Sequence, residues 1–240
     1  MLTIIGFYTN DSLYKKHAKI LELSAQKYNI NIHLTEVSKD SWQKIIAFKP
    51  SFIAEMRKTV KGPILYVDAD AIILKDIRPF FESITSDIAV HYINDTRLLS
   101  GTLFINDTPD AYLLVDEWQK RMALNPTEWD QIILQQVLDQ WVIEGKVSLT
   151  KLPPEYTFIF DTSLNTYGNT VEPCIEHLQA SRDMRWKKRY LKRSKIKKFM
   201  MRIPYLKAYT KIISRRHAYI NKRTKELGID IKMTLNDILD

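Results

Sequence analysis

Apolar positions in the first two thirds of the chain switch between two periods. Thr3–Tyr8 (TIIGFY) reads as a buried strand, and from Asp11 to Tyr28 the residues Leu13, Tyr14, Ala18, Leu21 and Ala25 keep helical spacing. Ile30, Ile32 and Leu34 return to period two. A second helix is predicted from about Asp40 to Val60, followed by a strand at Ile64–Val67 and a short apolar run at Ala71–Leu74. This β-α-β-α-β order predicts a mainly parallel sheet covered by helices, with ligands at the carboxyl ends of the strands. Further strands are expected at Asp87–Tyr92, Thr102–Ile105 and Val147–Leu152. Two helices precede the last of these. One has Pro109 in its first turn and runs through Leu114, Trp118 and Met122; the other starts at Thr127 and buries Ile133, Leu134, Val137 and Trp141.

Composition removes several function classes. The chain has 240 residues, and 45% of them are hydrophobic, enough to close a sizeable core. Its single cysteine, Cys174, excludes an internal disulfide and a thiolate metal cluster. The six glycines are too scattered to write either glycine-rich phosphate loop, and no two of the five histidines stand at the i, i+4 spacing of a helical zinc site. No apolar run approaches the ~18 residues of a membrane span. The opening MLTIIGFYTND lacks the basic start of a signal peptide. These features predict a cytoplasmic protein, attached at most peripherally to the inner face of a membrane.

Charge divides the chain. Between Arg182 and Lys225 lie 18 of the 36 basic residues and one of the 28 acidic ones, so this segment carries +17 and the remainder −9. An acidic body with a basic tail predicts an anionic partner that relieves the self-repulsion. The expected division is a core over residues 1–181 and a basic, mainly helical extension over 182–240. In the extension, Ile196, Phe199, Met200 and Ile203, then Leu206, Tyr209 and Ile213 after Pro204, form apolar stripes among the cations. Such stripes fit helices lying on an anionic membrane, a tail that follows a nucleic-acid backbone with its interleaved aromatics, or docking onto the acidic body.

The chemistry concentrates at ILYVDADAII. Asp68 and Asp70 directly follow a buried strand, and residues i and i+2 share a face in extended geometry. Two hard oxygen ligands converging there suit Mg²⁺ or Mn²⁺, which bridges phosphates. A bare D-x-D is also compatible with an acidic strand end facing water.

KPSFIAEMRKTVKGPILYVDADAII, followed by LKDIRPFF, resembles the core of the GT-A nucleotide-sugar glycosyltransferases, particularly retaining family 8 and the related nucleotide-diphospho-sugar transferases. The resemblance runs from the first strand to about His177. It implies a mixed, mainly parallel α/β sheet with helices on both faces, a nucleotide-diphosphate sugar as donor (a UDP-sugar foremost), and Asp68 and Asp70 as ligands of the metal on its diphosphate. His177, in IEHLQASRD, takes the place of the family's late histidine ligand, a mixed donor set that favours Mn²⁺. LLSGTLFIND resembles the small-residue turn that approaches the donor sugar, assigning Ser100 and Gly101 to donor binding. EWDQIIL resembles the acid–glutamine pair at the reaction centre, making Asp130 and Gln131 the catalytic candidates. Asp130 also fits a near capping box with Thr127. FYTND places Tyr8, Asn10 and Asp11 where the base and ribose are held, with Asp11 equally suited to capping a helix. Lys49 and Arg57 are candidate donor-binding cations. Where the family carries a glycine three residues after the histidine and a diphosphate-contacting lysine six residues after, this chain has Ala180 and Asp183, leaving Arg182 or Arg185 as a candidate replacement.

The implied activity is transfer of a sugar, with retention, to a membrane- or lipid-linked saccharide. A DNA acceptor with a hydroxylated base is the alternative, and a non-catalytic anion- or nucleic-acid-binding protein is the alternative from another class. An aspartyl-phosphate phosphatase also follows a strand with D-x-D, but no glycine here precedes an aspartate as its later metal motif requires.

Overall fold

The computed structural model describes residues 1–168, 170–191, 208–234 and 236–239. The chain begins with β1 (Thr3–Thr9), α1 (Ser12–Gln26), β2 (Asn31–Val37), α2 (Trp42–Thr59) and β3 (Ile64–Val67). There follow β4 (Ala71–Ile73), α3 (Arg78–Phe81), β5 (Ile88–Ile93), β6 (Arg97–Ile105), α4 (Pro109–Leu124), α5 (Asp130–Ile143) and β7 (Leu149–Lys151). The last part comprises β8 (Phe158–Ile159), α6 (Thr162–Tyr167), β9 (Ile175–His177), α7 (Ala180–Leu191), α8 (Ala208–Glu226) and α9 (Asn236–Leu239).

The main sheet has the order β2-β1-β3-β6-β5-β7. β2, β1 and β3 run parallel, as the helical crossovers between them require. β6 enters antiparallel to both β3 and β5, and β7 pairs parallel with β5. Alternate strand residues feed two apolar layers. Ile5, Phe7, Ile64, Tyr66, Val90 and Leu103 point towards α2, α4 and α5, where they meet Phe52, Met56, Leu114, Trp118 and Leu134. Ile4, Leu65, Val67, Ala89 and Phe104 point the other way, towards Leu21 and Ala25 of α1 and Phe81 of α3. Helices therefore cover both faces, as expected.

The Ala71–Leu74 run does not extend the main sheet. After Asp70 the chain leaves it, and β4 pairs antiparallel with β9, with Ala71 opposite His177; β8 pairs parallel with β9 on its other side. A residue more than a hundred positions downstream is thereby seated beside the D-x-D.

α7 runs across Arg182, and Ile213, Ile220, Met233 and Ile238 share one apolar cluster with Leu13, Ile20, Ile72 and Leu178 of the body. Of the tail's stripe residues, Ile213 is thus turned onto the body. Ile196, Phe199, Met200, Ile203, Pro204 and Leu206 lie outside the described residues. No described helix is long and apolar enough to cross a membrane.

Candidate active site

β3 ends at Val67, and the Asp68 N–H donates to the carbonyl of Gly101 on β6 at 2.9 Å, which fixes where the first carboxylate leaves the sheet. Its Oδ1 accepts from the Tyr66 hydroxyl at 2.8 Å, two residues back on the same face of the strand. Asp70 is held by the turn after β9: its carbonyl accepts from Leu178 N–H at 2.8 Å and its Oδ2 from Ala180 N–H at 2.8 Å. The β4–β9 pairing brings in His177, so that one ligand atom each from Asp68, Asp70 and His177 lies within 4.8 Å of the others.

Partial burial and the neighbouring Asp68 push the Asp70 carboxyl up to about 6. Burial depresses His177 to about 4, with Asp68 opposing the shift and Lys49 adding to it, so the imidazole is neutral at physiological pH. Its Nε2 meets Thr102 Oγ1 at 2.8 Å. With Nε2–H donating to that hydroxyl, Nδ1 is the free ligand atom. A Cβ on Gly101 would stand 3.0 Å from His177 Cε1 and 3.2 Å from Asp68 Oδ2, tighter than an ordinary contact, so a side chain here would crowd two of the three groups. Two carboxylates, a neutral imidazole and a wall kept bare for them fit a hard divalent cation.

A second group adjoins the first. Lys49 is buried in the middle of α2 with its Nζ 3.2 Å from Asp68 Oδ1, 3.1 Å from Asp130 Oδ2 and 3.2 Å from Ser100 Oγ. Ser100 Oγ in turn donates to Asp130 Oδ2 at 2.9 Å. Burial alone would lower the Lys49 ammonium, but Asp130 and Asp68 hold it above its ordinary value, so it stays charged. Asp130 opens α5 without capping it: Trp129 is the N-cap residue, and Asp130 is 4% exposed with its carboxylate turned onto Lys49 and Ser100. Gln131 follows it, half-buried, on the first turn.

The remaining expected residues divide. β1 and β3 are parallel with Ile5 opposite Tyr66, so Tyr8, Asn10 and Asp11 leave the sheet on the same edge as Asp68. Tyr8 is half-exposed with its hydroxyl 3.5 Å from Glu36 Oε2, and Asn10 is exposed. Asp11 is a helix cap: its Oδ1 accepts from Tyr14 N–H at 3.1 Å and its Oδ2 from Thr9 Oγ1 at 2.6 Å. Arg57 is not brought to the site. It sits 1% exposed at the other end of β3, where its guanidinium donates to the carbonyls of Val60 and Gly62 and pairs with Asp107 at 3.4 Å. Arg182 is engaged by Asp161 and Thr162, so its charge already has a partner. Tyr66 and Thr102 were not anticipated. Both stand two residues along a strand from a residue that was, Asp68 and Ser100 respectively, and the period-two rule applied to each would have found them.

Residues 8–191 match the family model of the nucleotide-diphospho-sugar transferases, and the chain belongs to that family. It is a glycosyltransferase of the nucleotide-diphospho-sugar type on a GT-A fold. The chain is similar to the crystal structure of a glycosyltransferase involved in glycosylation of the major capsid of PBCV-1. The two share 12% identity at a TM-score of 0.56 over 74% of this chain and 92% of that one. It is also similar to the glycosyltransferase GlyE of Streptococcus pneumoniae TIGR4, with 16% identity and a TM-score of 0.50 over 73% of this chain and 53% of that one. At these identities the likeness bears on the fold alone. A search of curated proteins finds no match.

Proposed function

We propose that the protein moves a sugar, with retention, from a nucleotide diphosphate, UDP foremost, onto a saccharide presented at an anionic membrane surface. The observation that carries the donor half is the meeting of Asp68, Asp70 and His177 at the carboxyl edge of the sheet. These three residues would hold Mn²⁺, or Mg²⁺, which when bound neutralises charge on the departing diphosphate. Tyr8 and Asn10, on the same edge, are placed to meet the base and ribose. Asp11 serves them through its cap of α1.

In a front-face reaction the acceptor's proton passes to the leaving phosphate oxygen, so the chain need not supply a base. Asp130 then binds and orients: its Oδ2 already accepts from Lys49 and Ser100, leaving Oδ1 for a sugar hydroxyl. Gln131, one residue on, is assigned to the anomeric carbon. Lys49 pairs with both Asp68 and Asp130 and so links the metal corner to the sugar-binding carboxylate.

The acceptor half rests on the exposed cations Arg185, Lys188 and Arg189 of α7 and Arg215, Lys222 and Lys225 of α8, which face outward while the apolar side of α8 packs on the body. Such a basic surface beside a donor site suits anionic lipid. Incubation with a panel of nucleotide sugars and Mn²⁺, with lipid-linked saccharide in one arm and hydroxymethylated DNA in the other, tests the reading. Labelled product in the lipid arm supports it, product only with DNA replaces the acceptor, and NMR of the anomeric proton reads retention. Failure to bind any nucleotide sugar leaves the non-catalytic alternative.

A further inference from the structure

α8 touches the body at a specific place. Arg216, Tyr219 and Arg223 stand at i, i+3 and i+7, one helix face, and all three reach β9 or the turn that follows it. Tyr219 hydroxyl donates to Glu176 Oε1 at 2.5 Å, and Arg223 Nε to Glu176 Oε2 at 3.1 Å; Glu176 is completely buried next to His177. Arg216 is 7% exposed and donates through Nη2 to the carbonyls of Leu178 and Gln179 at 2.6 and 2.7 Å. Its Nε pairs at 3.0 Å with the buried Asp183, the residue standing where a diphosphate-contacting lysine was expected.

The turn under this grip needs holding. Gln179 adopts φ 60°, a left-handed conformation that a side chain disfavours. The same turn supplies the Leu178 and Ala180 N–H groups on Asp70 and directly continues the strand that carries His177. Two of the three metal-ligand candidates therefore depend on a turn whose carbonyls are fixed by a side chain from the basic tail.

We propose that α8 is a working part of the donor site, with Arg216 as a positioning residue that holds the 178–180 turn and, through it, Asp70 and His177. This rests on the metal reading above. The tail is then more than a surface for the acceptor: its inner face shapes the metal corner while its outer face stays free for an anionic partner.

The test uses the full chain with Mn²⁺ alone as probe, reading free Mn²⁺ by electron paramagnetic resonance alongside the far-UV circular dichroism of each variant. Arg216→Gln is expected to keep native secondary structure and to bind Mn²⁺ at least tenfold more weakly. Arg216→Lys, which keeps the charge but not the fork on Asp183 and the two carbonyls, should fall between it and the native chain. Ser214→Ala, at an exposed position on the same helix, should bind as the native chain does. If Arg216→Gln does not fold, the comparison of Arg216→Lys with Ser214→Ala carries the test. Native-like Mn²⁺ affinity in the folded Arg216 variants overturns the positioning role and leaves the metal site standing. A native chain that does not bind Mn²⁺ overturns the metal reading itself, and this inference with it.

Discussion

Lys49 and Arg57 lie on the same helix and are both nearly inaccessible, yet they belong to different parts of the molecule. Lys49 faces the carboxyl edge of the sheet and meets the carboxylates of Asp68 and Asp130. Arg57 faces the opposite edge and meets mainly carbonyls, closing the loop between α2 and β3. Burial of a cation thus says little about its role; the chemistry of its partners says more. Lys49 holds together carboxylates that would otherwise repel one another. Arg57 satisfies backbone groups that need only be satisfied. His17 in α1 is a third case: it is completely buried with neither ring nitrogen partnered among the described residues, and burial lowers it to about 4. With no acceptor to hold its charge, it stays neutral.

The largest separation of these cases should come from Lys49→Met. Removing the ammonium leaves Asp68 and Asp130 facing each other unpaired, and transfer should fall by about a thousandfold in kcat/KM, or ~4 kcal/mol. Steady-state kinetics on the folded variant checks it; a loss below tenfold would remove Lys49 from the site. Arg57→Met should reverse the pattern, costing about 3 kcal/mol of unfolding free energy in urea through the lost charge-assisted bonds. The kcat/KM of its folded fraction should stay within about twofold of native, and a large kinetic defect would merge the two cases.

His17 gives a pH signature. Its folded value lies below the ordinary 6.5, so the unfolded chain binds the proton first and the folded state loses stability as pH falls from 6.5 towards 4. Relative to a His17→Gln variant, the native chain should lose about 2 kcal/mol between pH 6.5 and 5, measured by urea unfolding at each pH. Parallel profiles would mean that His17 acquires a partner in solution. The smallest effect should come from the outward cations. Lys222→Gln with Lys225→Gln is expected to raise the KM for an anionic acceptor about threefold at low salt and to leave donor KM unchanged, with the difference vanishing at ~1 M salt. An acceptor KM that ignores both charge and salt would detach the basic face from acceptor binding.

Much of this arrangement is written locally in the chain. The alternation of TIIGFY, the helical spacing after Asp11 and the four apolar residues before Asp68 specify β1, α1 and β3 through burial on defined faces, and the D-x-D follows from where β3 must end. Asp130 was legible as a polar residue at a helix start, but its two uses, cap or inward carboxylate, differ only in a contact with Lys49 some eighty residues away. β9 was not legible. It is three residues long, shows no period over such a length, and is recognisable only through its pairing with β4 and β8 away from the main sheet. Arg57 was misplaced for a related reason: helical spacing gives the face of α2 but not which end of a sheet each turn reaches. The docking of the tail was obscured by its net charge, since the residues that attach α8, among them Ile213, Ile220 and Arg216, are a minority among outward cations.

The most direct measurement is anomalous diffraction at the manganese edge from crystals grown with Mn²⁺ and UDP. A single strong peak within coordination distance of Asp68, Asp70 and His177, with the diphosphate against it and Lys49 still bridging Asp68 and Asp130, is the expected result. Density for the nucleotide with no anomalous peak at that corner, or a peak on other ligands, would contradict the assignment.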